Sequence, residues 1–294
     1  MAAVRMANSR GGFAARVWPV TFSIVGGMGT AYGVAVASKF LAVGSVVPAA
    51  TPGVGAVATQ SFAKVSYKAD GLGLLAKNVS AQETIDRLTA ADPLRETRQI
   101  GVVGARSSAT FTGSGCMDWA GGVAEGSPDE GFVAIQGNIL TGADVVEAML
   151  EAWRGTSGQA LTDRLLSALL AGDAAGGDRR GRQGAALYAV DVAAGYDNCG
   201  VLVDLRVDDH AQATQELARL MDLNTLYFGG PEDVSPLEGQ VAEEVRVRLG
   251  QLGYTHDDLD TALEEWAGVE NYEMRLSPGG IDARVLAALR AATA

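Results

Sequence analysis

Two runs near the start of the chain, residues 21–25 (TFSIV) and 32–38 (YGVAVAS), are apolar at almost every position instead of every second one. A strand with one wet face alternates apolar and polar residues, whereas one that does not alternate is covered on both faces. The glycine-rich stretch between the runs, with Gly26, Gly27 and Gly29, is a turn signal, so the two form a hairpin. A third such run covers residues 53–59. These strands restrict the chain to layered architectures in which a sheet is packed on both sides.

The remaining pattern supplies the other layers. Helical periodicity is expected at residues 72–78 and 81–91, the second with Ser80 as N-cap and Glu83 as capping-box partner, ended by Pro93. Strands are expected at 99–105, 109–112 and 132–139, helices at about 143–153 and 160–170, strands at 185–192 and 201–207, and a helix at 214–222. This order predicts an α+β fold, two sheets face to face with helices outside, a four-layer αββα sandwich. Gly229, Gly230, Pro231 and Pro236 then mark a linker, followed by about three short helices. Residues 226–294 hold five Arg and thirteen Asp plus Glu, so they carry −8 of the total −12. The expected division is a leader at 1–20, the sandwich at 21–224 and a small acidic helical domain at 225–294.

A net charge of −12 repels phosphate backbones and anionic headgroups, which argues against nucleic-acid and membrane partners. Two cysteines, Cys116 and Cys199, and two distant histidines, His210 and His256, assemble no metal cluster at familiar spacing. Residues 1–20 contain Arg5, Arg10 and Arg16 and no acid, the flavour of a secretory signal, but Pro19 and the glycines after it interrupt the apolar stretch. No run is long enough to span a bilayer, and a cytoplasmic location is expected.

The segments TFSIV, GVAVASKFLAVG, GVGAVATQS, FTGSGC with WAGG, QGNIL, AGGDRRGRQ and LRVDDH, in this order from Thr21 to about Asp222, resemble the family known as domain of unknown function 1028. The resemblance implies a fold of the N-terminal-nucleophile (Ntn) hydrolase type. From Leu226 onward, VRVRLGQLGY, LEEWAGVENYEMR and IDARVLAALR resemble the peptidoglycan-binding module often fused to it. Members usually begin with Met followed by Thr; here twenty residues precede Thr21. Gly184 stands where the family pattern implies a serine.

By that resemblance Thr21 is the candidate nucleophile. A threonine hydroxyl needs a base, and a free α-amine, with a reference pKa of about 7.7 to 8.0, is suited to the task. The amine exists only if residues 1–20 are cleaved or never translated; Val20 as an alternative start is the favoured route. Antiparallel closure of the hairpin sets Thr21 opposite residues 36–38, bringing Ser38 and Lys39 beside it, where the lysine would lower the amine's pKa. Gln136 and Asn138, amides in an apolar strand, are candidate oxyanion donors, or buried polar groups bonded for structure alone. Gln60 and Ser61 end the third run as candidate substrate contacts. By analogy with proteasome-type sites, Asp178 would hold the N-terminal threonine, while Arg182 has the planar fork to recognise a substrate carboxylate. His210 is a ligand group or a loop cap, and Cys116 reads as a small buried residue instead of a nucleophile.

The expected function is hydrolysis of a small-molecule or peptide-like amide through an acyl-enzyme on Thr21, with no metal and no organic cofactor. The alternative is a non-catalytic binding protein whose C-terminal module docks a glycan or protein. A homo-oligomer is expected, with Leu263, Trp266 and Tyr272 serving either a partner subunit or the module's own core.

Overall fold

A computed structural model describes residues 21–294 of the chain, so the leader expected at 1–20 lies outside the described residues. Strands β1 (Thr21–Met28) and β2 (Ala31–Ser38) form the expected hairpin, with Phe22 opposite Ala37 and Met28 opposite Ala31. After a single-turn helix α1 (Val43–Val46), β3 (Pro48–Thr51) and β4 (Gly55–Ser61) open a second sheet. Helices α2 (Ser66–Leu75) and α3 (Ala81–Ala90) precede β5 (Arg98–Gly104) and β6 (Ser107–Thr112), which complete it. The chain returns to the first sheet with β7 (Gly121–Ser127) and β8 (Gly131–Asn138). Helices α4 (Asp144–Gly155) and α5 (Leu161–Ala174) follow, then β9 (Gly184–Val190), β10 (Val201–Val207) and α6 (Ala213–Phe228). The first sheet has the order β10-β9-β2-β1-β8-β7 and the second β3-β4-β5-β6, every neighbour antiparallel.

Side-chain alternation sorts these strands into three apolar layers. Phe22 and Ile24 of β1 face the helical side, packing with Met149, Leu165, Leu169 and Leu217 of α4, α5 and α6. Val25, Val34 and Val36 point the opposite way, onto Ala56, Ala58 and Val103 of the second sheet. Beyond it, Val57, Ile100 and Val102 pack under Tyr67, Leu75, Ile85 and Leu88 of α2 and α3. Each large apolar side chain so buried contributes roughly 1.5 to 3 kcal/mol, so two-sided burial explains the unbroken hydrophobic runs. The chain is thus a mixed fold of antiparallel sheets and helices, with a helical C-terminal region.

That region contains a two-residue ribbon, β11 (Ser235–Pro236) with β12 (Gly280–Ile281), and helices α7 (Gly239–Gln251), α8 (Leu259–Val269) and α9 (Ala283–Ala292). Its core holds Val245, Leu249, Leu263, Trp266, Tyr272 and Leu289. Leu263, Trp266 and Tyr272 are therefore buried within this chain, the second of the two alternatives open in the sequence. Helix α6 is longer than residues 214–222, because Leu226 and Tyr227 pack into this second core and Tyr227 stacks on Tyr272 at 5.7 Å.

One expected element shifts and two strands are added. Helix α2 begins earlier than residue 72 and buries Tyr67, Gly71 and Leu75, four apart on one face; its two glycines mask the pattern. Strand β7 carries Gly121, Gly122 and Gly126 and reads as loop in sequence. Edge strand β3 is only four residues long. Among the described residues no helix is long and apolar enough to cross a membrane.

Candidate functional site

The layer between the sheets is apolar at one end and polar at the other. At the polar end β1 begins while β2 and β8 finish, and Thr21 pairs across to Asn138. Thr21, Ser23, Ser38, Gln136 and Asn138 come from the first sheet, Gln60, Gln99 and Ser61 from the second, and all are buried. Buried amides are costly unless bonded, and here they bond to one another. Ser23 Oγ donates to Gln60 Oε1 at 2.6 Å and accepts from Gln136 Nε2 at 2.6 Å. Gln60 Nε2 and Asn138 Nδ2 both donate to Gln99 Oε1, at 2.8 and 2.9 Å. Gln99 Nε2 donates in turn to the Gly137 carbonyl at 2.7 Å and to Thr112 Oγ1 at 2.9 Å. Gly101 is part of the design, since a Cβ there would collide with the Gln136 amide.

Thr21 sits at the rim of this mesh. Its hydroxyl donates to Ser38 Oγ at 3.3 Å, and its carbonyl accepts from Gln60 Nε2 at 3.1 Å and, at a longer 3.5 Å, from Asn138 Nδ2. Two flanking residues are strained: Ser61, after Gln60, has φ +62° and the β-branched Ile139, after Asn138, has φ +50°. Such backbone costs of order 1 to 3 kcal/mol and persists where neighbours impose it, often at working sites. Cys116 Sγ donates to Ser61 Oγ at 3.6 Å and to the Arg98 carbonyl at 3.4 Å. Burial pushes its thiol above the ordinary range, which keeps it protonated and a poor nucleophile.

The segment 175–183 closes the side of the rim. Gly176, Gly177 and Gly181 have φ of +119°, +52° and +105°, a path that side chains would oppose. The buried Asp178 carboxylate accepts the Lys39 backbone N–H at 2.7 Å and the Arg180 backbone N–H at 2.9 Å, and pairs with the Arg180 guanidinium at 3.1 Å. Asp178 thus holds the residue that follows Ser38, with no bond to Thr21 itself. Lys39 is exposed and its ammonium donates to the Arg182 carbonyl at 3.2 Å. Arg182 is engaged by Asp173 at 2.7 Å, and Thr214 Oγ1 donates to the same carboxylate at 2.8 Å. A cavity of about 60 Å³ lies here, lined by Phe22, Ser38, Asp173, Asp178, Arg182 and Thr214 among others. It is large enough to hold water.

Of the residues singled out in sequence, Thr21, Ser38, Gln60 and Asn138 come together, with Ser61 beside them and Gln136 one pleat deeper. His210 stands apart: its Nδ1 accepts from the Gln212 backbone N–H at 3.1 Å, a loop cap before α6. Sequence reading missed Ser23 and Gln99. Gln99, an amide in an apolar strand, carries the same signal that flags Gln136 and Asn138. Both cysteines are free thiols, and no group of three or more His, Cys, Asp or Glu able to hold a metal occurs among the described residues.

Two antiparallel sheets thus meet in a buried amide mesh, with a threonine heading a central strand. Residues 21–217 match the family described as "Family of unknown function (DUF1028)", and the chain belongs to that family. Residues 227–289 match a module described as "Putative peptidoglycan binding domain". Protein SPO2555 from Silicibacter pomeroyi, a DUF1028 crystal structure, superposes with a TM-score of 0.61 at 26% identity, covering 76% of this chain and 93% of that one. The comparison with curated proteins gives no match.

Proposed function

We propose that residues 21–224 form an Ntn-type αββα hydrolase domain, that 225–294 form a separate acidic module, and that Thr21 cleaves an amide or peptide-like bond once it is the first residue. The supporting observation is its place: the start of a central strand, hydroxyl on Ser38, carbonyl clamped by Gln60 and Asn138. In this reading the freed α-amine accepts the hydroxyl proton and Oγ1 attacks the substrate carbonyl carbon. The C–N bond breaks, the proton passes to the leaving amine, and an ester remains on Thr21. Water, deprotonated by the same amine, then cleaves the ester and restores the hydroxyl. Asp178 acts by fixing the Ser38–Lys39 backbone.

The side-chain donors of Gln136 and Asn138 are spent inside the mesh, so the developing oxyanion takes its stabilisation from backbone N–H groups in this reading. The same fact favours the second reading, a cytoplasmic binding protein on this fold whose C-terminal module docks a glycan. A chain cut so that Thr21 is residue one, screened against a broad amide panel and treated with a β-lactone, separates the two. Turnover, a single adduct on Thr21, and loss of both in a folded Thr21→Ala variant are expected. Turnover that survives Thr21→Ala, or that is equally fast in the chain still carrying residues 1–20, overturns the proposal.

A further inference from the structure

We infer that Lys39 and Arg179 form a subsite for a carboxylate at the threonine end of the sandwich, so that the ligand is an anionic amide; as a substrate assignment this rests on the hydrolase reading. The inference starts from which cations remain without an acid. Arg180 is matched by Asp178 and Arg182 by Asp173, so these two arginines of the loop are neutralised where they stand. Arg182, the carboxylate reader expected from sequence, is thereby occupied. Arg179 lies between them in sequence, is exposed, and has no acidic partner among the described residues. Lys39 is exposed; its ammonium donates to the Arg182 carbonyl and pairs with no acid among the described residues. Residues 1–20 contain no acid that would fill the role.

Their backbones are fixed close to Thr21 and to each other. Lys39 follows Ser38, the hydrogen-bond partner of Thr21, and its N–H is held by Asp178 at 2.7 Å. Arg179 follows Asp178 directly, and its N–H donates at 3.2 Å to the carbonyl of Ile139, next to the Asn138 that pairs with Thr21. Strands β2 and β8, which flank β1, thus each deliver a cation to the rim, one directly and one through the loop bonded to it. On a chain of net charge −12, an anion is repelled by the surface at large and is captured only where positive charge is left over. A lysine ammonium and a planar guanidinium carried on adjoining backbone suit a carboxylate, the guanidinium supplying a forked pair of donors.

The test is binding of glutarate against its uncharged analogue glutaramide, by saturation-transfer NMR on the full chain, where both cations are already exposed. Glutarate is expected to bind and glutaramide not. Arg179→Gln and Lys39→Gln are each expected to weaken glutarate about tenfold, the scale of one charge-assisted contact. Arg106→Gln, an exposed arginine in the β5–β6 turn at the opposite end, serves as control and is expected to change nothing. Equal binding of the two ligands, or equal loss in all three variants, overturns the subsite. Because the readout is binding, a chain that captures glutarate yet hydrolyses no amide keeps the subsite and removes only the hydrolase reading.

Discussion

Gln99 spends its whole amide on neighbours: its oxygen accepts from Gln60 and Asn138, and its nitrogen serves the Gly137 carbonyl and Thr112. Replacing it by leucine keeps the bulk and strands those partners, each worth about 1 to 3 kcal/mol when buried unbonded. Gln99→Leu is therefore expected to lower unfolding free energy by about 3 kcal/mol in urea titration, and a loss below about 1 kcal/mol would contradict the mesh as described. This scale was half legible in sequence. Gln136 and Asn138 stand out because an amide in an apolar strand must find a partner, but which partner depends on how two sheets align. The ion pair of Arg182 is not legible in sequence because its partner, Asp173, lies nine residues back on α5.

Asp92, between α3 and β5, gathers Tyr67 Oη of α2 at 2.9 Å, the Leu94 N–H at 3.0 Å and Arg98 Nε of β5 at 2.9 Å. Burial alone would raise its pKa, but the hydrogen bonds from Arg98, Leu94 and Tyr67 outweigh it and hold the carboxyl at about 2. The sign follows from linkage: an acid ionising near 3.8 in the unfolded chain and near 2 in the folded one stabilises fully above pH 3.8. That contribution is lost as pH falls through about 2. Acid unfolding followed by circular dichroism is expected to show this drop between pH 4 and 2, and Asp92→Asn is expected to be less stable at pH 6 with a shallower acid slope. Among the elements, the hairpin and α3 were legible because turn glycines and the Ser80 cap act locally, and Ser80 Oγ does accept the Glu83 N–H. Strand β7 was hidden because its three glycines have no propensity to report; only pairing with β8 makes it a strand.

For the molecule as a whole, α6 belongs to two cores, and the buried Arg275 fastens the second to it. Its guanidinium donates to the Thr225 and Leu226 carbonyls and pairs with buried Asp282 at 2.8 Å. Burial works against the Asp282 carboxylate, yet backbone N–H groups of Glu232, Val285 and Arg284, with Arg275, hold its pKa below the ordinary range. Arg275→Met leaves that carboxylate without its cation, a change worth about 3 to 5 kcal/mol, and is expected to unfold the C-terminal core first. Trp266, buried there, is expected to shift its emission to the red at lower urea than the loss of far-ultraviolet ellipticity; coincident transitions would argue against it. The mixture of sheets covered on both faces, helices and a helical C-terminal region is readable from sequence because it follows from counting dry faces, while the sharing of α6 is not, since it depends on Leu226 and Tyr227 reaching the second core. The mesh between the sheets governs motion on this scale too. A seam filled with oil lets its two leaves slide, but a slip of one residue, about 3.4 Å, would sever every directed amide bond at once. Sliding of one leaf over the other is therefore opposed most sharply at the end where Thr21 stands, not along the valine-lined margin.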